Sequence, residues 1–250
     1  MTVARLHGHR AKRLYVLDFG LFDVRNGERI IGIAGYLVET DRGGRVLIDT
    51  GFPPAYATDP GIADRDGLPR FGRLVDHSPR QTAEGQLAVL GLTPADIDLV
   101  VLSHGHIDHV GALPLFTCPV VMTARERANP APSYFGTVRP MAWPDTAYHL
   151  IDADTDLCDG LTLIPTPGHT AGHLSALVTL PDTGPVILAV DALNRISEPA
   201  ERFADSADPV TSQISADRLF ALQRETGAML IYGHEPSQWP ELSKAPAFYG

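Results

Sequence analysis

The 250-residue sequence predicts an α/β fold in which two β-sheets pack against each other with helices outside. Short apolar runs typical of strands come first, segments with helical spacing then alternate with further strands, and this pattern roughly repeats. The hydrophobic content of 44% is enough to form a sizeable core. No break in composition marks a linker, so we expect one domain spanning residues 1–250.

The first half of the chain begins with an antiparallel meander. Strands are predicted at Leu14–Phe19, Ile30–Val38 and Arg45–Ile48. Residues 52–80 are rich in Pro, Gly and Asp and have little periodicity, which predicts a long loop with room for one short helix. Loops of this length often form lids or substrate walls. Residues 80–90 have helical spacing, and Gly91 stands where that helix would end.

The second half mixes strands and helices. Strands are predicted at Ile97–Ser103, Pro119–Thr123, Leu161–Pro165, Leu174–Leu180, Val186–Val190 and Met229–Tyr232. A short helix is predicted at Ala124–Ala128 and a longer one at Ser212–Thr226. Residues 129–148 hold many prolines and aromatic residues, which predicts a second loop over a pocket.

Composition and charge exclude several classes of partner. The formal net charge of -10 argues against binding to nucleic acid or to an anionic membrane. The basic N-terminal segment lacks the apolar run of a signal peptide. The sequence contains no run of about 18 apolar residues, so we expect no transmembrane helix. Two cysteines, Cys118 and Cys158, are too few for a disulfide framework and fit a reducing compartment. We therefore expect a cytoplasmic protein.

A dense polar cluster follows the apolar strand that ends at Ser103. His104, His106, Asp108 and His109 form the pattern H-x-H-x-D-H with apolar residues on both sides. Buried polar groups are costly unless they are paired or bind a metal. In an extended segment His104 and His106 point to the same side, whereas Asp108 and His109 need a turn. The pattern therefore predicts a metal site with room for a second ion.

Three further segments have the same form, since an apolar run delivers a polar residue at its end. The residues are His169 after LTLIPTPG, Asp191 after VILAV and His234 after MLIYG. With the H-x-H-x-D-H cluster they make seven nitrogen and oxygen ligands, a set suited to zinc, iron, manganese or cobalt. A closed, thiolate-rich structural zinc site is disfavoured because no cysteine occupies a ligand-like position.

The ordered ligand set resembles that of the metallo-β-lactamase superfamily. The resemblance implies an αββα sandwich, with two mixed sheets, outer helices and two divalent metal ions at one edge, zinc being the first choice and iron, manganese or cobalt the others. It assigns His104, His106 and His169 to one ion, Asp108, His109 and His234 to the other, and Asp191 to both. Asp49, within Leu47-Ile48-Asp49-Thr50-Gly51, would steady a ligand histidine.

Within that superfamily the chain is most similar to N-acyl homoserine lactonases and 4-pyridoxolactonases. The similarity lies in the length, the SHxHxDHxG motif, Thr166-Pro167-Gly168-His169-Thr170-x-Gly172-His173, Asp191-Ala192 and the terminal Phe248-Tyr249-Gly250. Those lactonases usually carry a tyrosine three residues after the bridging aspartate, where it contacts the substrate carbonyl. This chain has Asn194 there, an amide that can still donate a hydrogen bond to an oxyanion.

The resemblance implies a lactonase that attacks the ring with a metal-bridging hydroxide. Asp108 would move the proton to the leaving oxygen, and Asn194 would donate to the oxyanion. The first candidate substrate is an N-acyl homoserine lactone, which implies quorum quenching. The alternatives are another ester or amide substrate and, from a different reaction class, a mononuclear-iron oxidoreductase similar to persulfide dioxygenases. A non-catalytic metal-dependent sensor on the same scaffold is a further option.

Aromatic residues near the predicted site suggest an apolar substrate pocket. We expect its walls to come from the end of the first strand and from the loop at 129–148, namely Phe19, Leu21, Phe22, Tyr134, Phe135, Met141 and Trp143. The expected partner is a small lactone or ester. The resemblance to related lactonases also allows a homodimer.

Overall fold

The computed structural model describes residues 6–25, 27–133 and 138–250. Within these ranges the first sheet has seven strands: β1 (Ala11–Val24), β2 (Arg29–Thr40), β3 (Arg45–Ile48), β4 (Gly72–Asp76), β5 (Leu99–Val101), β6 (Val120–Thr123) and β7 (Tyr148–Ile151). Their spatial order is β4-β1-β2-β3-β5-β6-β7. Strands β1 to β4 pair antiparallel, and β3, β5, β6 and β7 pair parallel, so the sheet is mixed.

The second sheet has five strands in the described part of the chain. They are β8 (Thr155–Cys158), β9 (Leu161–Pro165), β10 (Leu174–Leu180), β11 (Gly184–Val190) and β12 (Met229–Tyr232). The order is β12-β11-β10-β9-β8, and only the β11–β12 pair is parallel. Because β11 and β12 run the same way, the residues that follow both strands lie at the same end of the sheet.

The α-helices are short except for the last. They are α1 (Pro60–Arg65), α2 (Ala83–Val89), α3 (Ile107–Val110), α4 (Ala124–Arg127), α5 (Glu198–Glu201) and α6 (Pro209–Thr226). The Asp208 side chain caps α6 by accepting hydrogen bonds from the backbone N–H groups of Val210 and Thr211, and Gly227 ends it with a left-handed φ of 70°. No helix in the described ranges is long and apolar enough to cross a membrane.

Alternation along the strands creates three apolar layers. In β1, Val16 faces the core between the two sheets, whereas Leu17 faces the core that α2 covers. In β11, Leu188 faces the inter-sheet core and Ile187 faces the outer core with Leu219 of α6. The layer order is therefore helix, sheet, sheet, helix, and the predicted αββα class with two mixed sheets is confirmed.

The strands that the sequence did not predict are all edge strands. β4 and β7 lie at the two edges of the first sheet, and β8 lies at an edge of the second. An edge strand pairs on one side only and exposes more of its surface, so its sequence carries a weaker apolar alternation. The prediction of a long loop with room for one short helix over residues 52–80 was therefore wrong in part, since this segment contains the strand β4 in addition to the short helix α1.

Candidate metal centre

All seven predicted ligands follow strand ends at one edge of the sandwich. His104, His106, Asp108 and His109 follow β5, His169 follows β9, Asp191 follows β11 and His234 follows β12. The turn that the sequence required for Asp108 and His109 is the one-turn helix α3. The polar residues that follow strands of both sheets thus lie close together.

The ligand atoms form two groups, each with all its donor atoms within 4.8 Å of one another. The first group is His104, His106, His169 and Asp191, and the second is Asp108, His109 and His234. In the second group Asp108 Oδ2 lies 3.5 Å from His109 Nε2 and 3.7 Å from His234 Nε2.

Asp191 lies between the two groups. Its Oδ2 is 3.2 Å from His169 Nε2 and 3.9 Å from His104 Nε2, both in the first group. Its Oδ1 is 3.4 Å from His109 Nε2 and 3.4 Å from His234 Nε2, both in the second group. One carboxylate therefore offers one oxygen to each group.

Three buried ligand atoms test whether a metal fits. His104 Nε2, His109 Nε2 and Asp191 Oδ1 have essentially no solvent exposure and no hydrogen-bond partner. A buried polar atom left unsatisfied costs about 1–3 kcal/mol, so this arrangement is costly unless something else satisfies these atoms. The donors are imidazole nitrogens and carboxylate oxygens, which suit divalent zinc and its neighbours. The residues present therefore fit a divalent metal centre.

The protonation states of the first group also suit a metal. Burial lowers the pKa of His104 and His169, and burial together with the neighbouring His169 lowers the pKa of His106 to about 3. These imidazoles are neutral at pH 7, the form that binds a metal. For Asp191 burial favours the neutral acid, but the nearby His234 and other histidines outweigh it and hold the pKa well below its usual range.

The second group has a stronger negative field. Burial opposes ionisation of Asp108, yet His109 beside it lowers the Asp108 pKa to about 2. Burial likewise opposes a charge on His109, but the carboxylates of Asp108, Asp191 and Asp49 raise its pKa. The pKa of His234 is raised against burial by Asp191. The carboxylates thus favour a positive charge at the second group, and a divalent cation would supply it.

Asp49 and Ser103 orient one histidine from each group. Asp49 Oδ2 accepts hydrogen bonds from Ser103 Oγ at 2.7 Å and from His109 Nδ1 at 2.9 Å. Ser103 Oγ lies 2.9 Å from His104 Nδ1, which can donate to it. These bonds leave both Nε2 atoms free to face the centre, as second-layer partners of metal-binding histidines do. Asp49 has a left-handed φ of 62°, an uncommon backbone conformation for a residue other than glycine.

His173 holds the backbone of Asp191 and stays outside both ligand groups. Its Nε2 accepts a hydrogen bond from the Asp191 N–H at 3.1 Å, so its Nδ1 carries the proton and donates to Thr166 Oγ1 at 2.9 Å. Thr166 Oγ1 contacts Ser175 Oγ, which in turn donates to the Ala189 carbonyl. Burial lowers the pKa of His173 well below its usual value, which keeps it neutral for this role.

Glu126 is a positioning residue that the sequence did not reveal. Its buried carboxylate accepts hydrogen bonds from the Gly105 N–H at 2.9 Å, the Thr170 hydroxyl at 2.7 Å and the Gly172 N–H at 3.1 Å. Gly105 separates His104 from His106, and Thr170 follows His169. Glu126 thus ties the two loops that carry the histidines of the first group. No local motif marks it, because a glutamate in a short helix is usually exposed.

A cavity of about 450 Å³ opens onto both ligand groups. Its apolar wall is formed by Phe22, Val24, Ile31, Phe52, Leu68 and Phe71. Three of these come from the segment 52–80, which the sequence suggested as a substrate wall. The cavity size and the mix of an apolar wall with a few polar groups are typical of small-molecule sites.

Of the apolar residues predicted to form the pocket walls, only some line the cavity. Phe22 lines the cavity as predicted. Phe19 does not, because its ring is fully buried and packs against Gly35 and Gly51, whose lack of a side chain makes room for it. Leu21, Met141 and Trp143 are also absent from the described cavity wall; Met141 and Trp143 pack instead against the core outside the first sheet. Tyr134 and Phe135 lie outside the described residues.

Asn194 lines the cavity together with Asp108 and Asp191. Its side-chain Nδ2 donates to Glu198 Oε1 at 3.2 Å, and its backbone carbonyl accepts from the His234 N–H at 3.0 Å. The residue thus lies at the cavity wall, next to two of the predicted ligands.

Comparison with known proteins agrees with this architecture. The sequence signature of the family described as the metallo-beta-lactamase superfamily matches residues 33–234. The chain belongs to this superfamily. A relative from Azorhizobium caulinodans, named N-acyl homoserine lactonase AttM, is 33% identical over 228 residues, which cover 82% of this chain and 83% of the relative.

Two solved structures have the same fold as this chain. A Bacillus thuringiensis AiiA mutant with bound N-decanoyl-L-homoserine superposes with a TM-score of 0.83 at 24% identity, covering 96% of this chain and 100% of that one. An N-acyl homoserine lactone hydrolase with the product N-hexanoyl-L-homoserine at its catalytic metal centre gives the same TM-score, 0.83, at 24% identity and covers 96% and 100% of the two chains. At this identity the superpositions show that the metallo-beta-lactamase fold is shared.

Proposed function

We propose that the protein is a metal-dependent hydrolase that opens lactone rings, with N-acyl homoserine lactones as its first candidate substrates. The observation that carries the proposal is the position of Asp191, which offers one oxygen to each of two ligand groups beneath a cavity with an apolar wall. The name of the Azorhizobium relative, N-acyl homoserine lactonase, supports the substrate class.

Two divalent ions, with zinc proposed, would be held by these seven side chains. His104, His106 and His169 would hold the first ion, Asp108, His109 and His234 the second, and Asp191 both. Ions held in this way would supply Lewis acidity, which activates a water as a nucleophile and polarises a carbonyl group. Because the residues of the second group are all present, they favour a two-ion hydrolase over a single-iron oxygenase, which would need the first group alone.

The chain's own residues bind and orient the lactone. The apolar wall that includes Phe22, Phe52 and Phe71 would receive an acyl or aromatic group. The ester group would then lie at the ligand residues that line the same cavity. Asn194, at the same wall as Asp191, would donate an amide hydrogen to the carbonyl oxygen as negative charge develops on it.

Asp108 would carry the proton. Its carboxylate is ionised at neutral pH, and its side chain is 21% exposed and lines the cavity. It can therefore take a proton as the nucleophile attacks and deliver it to the leaving alkoxide oxygen as the ring C–O bond breaks. The product would be a hydroxy acid.

The test is initial rates of metal-reconstituted protein on one panel of substrates. The panel would contain N-acyl homoserine lactones of several chain lengths, γ- and δ-lactones, an aromatic lactone, a β-lactam and a phosphodiester, with Asp108→Asn measured alongside. The proposal expects lactones to be the fastest substrates and the variant to lose at least about 100-fold in kcat. Turnover of the β-lactam or the phosphodiester alone would refute the lactonase proposal, and so would no hydrolysis on any of them.

A further inference from the structure

A buried glutamate that the proposed chemistry does not use lies in the wall of the same cavity. Glu198 is the first residue of α5, its side chain lines the cavity, and only 4% of the residue is exposed. Burying a carboxylate is costly, and burial raises the Glu198 pKa above its ordinary value. The guanidinium of the nearby residue Arg195 forms an ion pair with Glu201. Glu198 is therefore held by other groups.

Those groups belong to Asn194 and its neighbour. Glu198 Oε2 accepts the Asn194 N–H at 2.6 Å and the Arg195 N–H at 3.3 Å, and Glu198 Oε1 accepts Asn194 Nδ2–H at 3.2 Å. One carboxylate oxygen thus fixes the backbone of the turn, and the other fixes the Asn194 carboxamide.

The carboxylate also decides which way the carboxamide points. If the amide were turned over, its oxygen would face Glu198 Oε1, and two acceptors would lie in contact. In the observed orientation Oδ1 of Asn194 is buried and has no hydrogen-bond partner. It lies beside Gly233, since a Cβ added to that glycine would be 3.1 Å from Asn194 Oδ1. The nitrogen therefore stays at the Glu198 end, with its second hydrogen not committed to Glu198.

The backbone links this pair to the ligands on both sides. Asp191 opens the short turn that Asn194 closes, and the Asn194 carbonyl accepts the His234 N–H at 3.0 Å. The Asn194 backbone is therefore fixed relative to a residue from each ligand group, and Glu198 holds the carboxamide relative to that backbone.

We propose that Glu198 is a positioning residue that locks the Asn194 carboxamide so that its second N–H is presented to the substrate carbonyl. Because the donor acts as charge develops on the carbonyl oxygen, its loss reduces kcat more than it raises KM. This inference rests on the proposed function for its kinetic consequence, but its structural content can be measured without turnover.

The kinetic test is a double-mutant cycle on the zinc-loaded protein with N-hexanoyl-L-homoserine lactone. In Glu198→Gln the remaining oxygen can keep the two backbone N–H groups, whereas the new NH2 group meets Asn194 Nδ2 and removes its acceptor. We expect Glu198→Gln and Asn194→Ala each to lower kcat by roughly 10- to 100-fold with KM changed less than about threefold. Because both act through one donor, the double variant should lose no more than the worse single variant.

The matched control is Glu225→Gln, which removes an exposed carboxylate in α6 and should behave as the wild type. If Glu198→Gln lowers kcat equally in the wild-type and Asn194→Ala backgrounds, Glu198 acts independently of Asn194 and the inference is wrong. If Glu198→Gln matches the wild type while the wild type hydrolyses the lactone, the inference fails and the proposed function stands.

A second readout covers the case in which the wild type does not hydrolyse the lactone. In ¹⁵N-labelled zinc-loaded protein, the Asn194 side-chain amide peaks can be assigned by their absence from Asn194→Ala. The inference predicts that these peaks shift and that their hydrogens exchange faster in Glu198→Gln. Unchanged peaks and exchange would overturn the inference, whatever the outcome for activity.

Discussion

Replacing Glu126 by glutamine should loosen the two loops that carry the first-group histidines. The carboxylate is 2% exposed, and its two oxygens accept from Gly105, Thr170 and Gly172. Glutamine has nearly the same shape but one acceptor oxygen in place of two. Its NH2 group must therefore face donors, at Gly105 or at the Thr170–Gly172 side.

The magnitude follows from these bonds. At least one charge-assisted hydrogen bond is lost, worth about 1.5–3 kcal/mol, and the surviving bonds weaken because the acceptor is no longer charged. We expect a loss of about 2–4 kcal/mol in the free energy of unfolding. For a chain of this size each kcal/mol lowers Tm by about 2–4 °C, so the expected drop is about 4–16 °C.

The assay is thermal and urea unfolding of zinc-loaded and chelator-treated Glu126→Gln, with Glu225→Gln as the control. The loops carry three of the first-group ligands, so zinc affinity should also fall by roughly 10- to 100-fold. A Tm within about 1 °C of the wild type, with unchanged zinc affinity, would refute the conclusion that this carboxylate ties the loops together.

Three other predictions concern the ligands, the cavity and pH. Asp191→Asn removes the charge shared by the two groups, so metal content after dialysis, measured by elemental analysis, should fall for both ions; full retention would contradict the bridging position. Phe71→Ala removes part of the apolar wall and should raise KM for an N-acyl homoserine lactone by about tenfold, with little change for an unsubstituted γ-lactone; an equal change for both would exclude an acyl-binding role. Burial lowers the pKa of His77, whose Nδ1 lies 3.1 Å from the Phe19 carbonyl. The contribution of His77 to stability is therefore present above its unfolded-state pKa of about 6.5, and it is lost as the pH falls through the lower pKa of the folded state. Urea unfolding of His77→Gln should therefore show a smaller loss of stability between pH 7.5 and pH 5 than the wild type, and an equal or larger loss would contradict this.

The sequence predicted the bounds of four strands accurately because each is an apolar run with buried residues. β3, β9, β10 and β12 begin and end where their apolar runs do. The edge strands β4, β7 and β8 were missed, since half-exposed strands such as Gly72–Asp76 mix charged residues with apolar ones and depend on a partner strand for their shape.

The candidate ligands were predictable for a related reason. Each is a polar residue in the segment that follows a buried apolar run, where an unpaired polar group would be costly. Their partners were harder to predict. Glu126 accepts a hydrogen bond from Thr170 and Ser103 donates one to Asp49, and these partners are close only in the folded chain. Glu198 bonds to the turn just before it, but no local motif marks that pairing. Single-sequence patterns report local spacing and burial, and they do not report such pairings.

The cavity shows a further limit of sequence reasoning. Phe19 and Phe22 are three residues apart at the end of one strand, yet only Phe22 reaches the cavity. The irregular pairing of β1 with β2 between Asp18 and Leu21 places both rings on the same side of the first sheet, and the sequence does not reveal such a bulge. The Phe19 ring is fully buried there against Gly35 and Gly51, so it does not reach the cavity.

The most direct test of the two-ion centre is a zinc titration of metal-free protein, with initial rates measured on N-hexanoyl-L-homoserine lactone at each addition. Asp191 faces both ligand groups, so the rate should rise until two equivalents of zinc are bound and then level off, and bound zinc should reach two per chain. A plateau at one equivalent would contradict the shared role of Asp191. Full zinc binding without lactone hydrolysis would contradict the proposed chemistry.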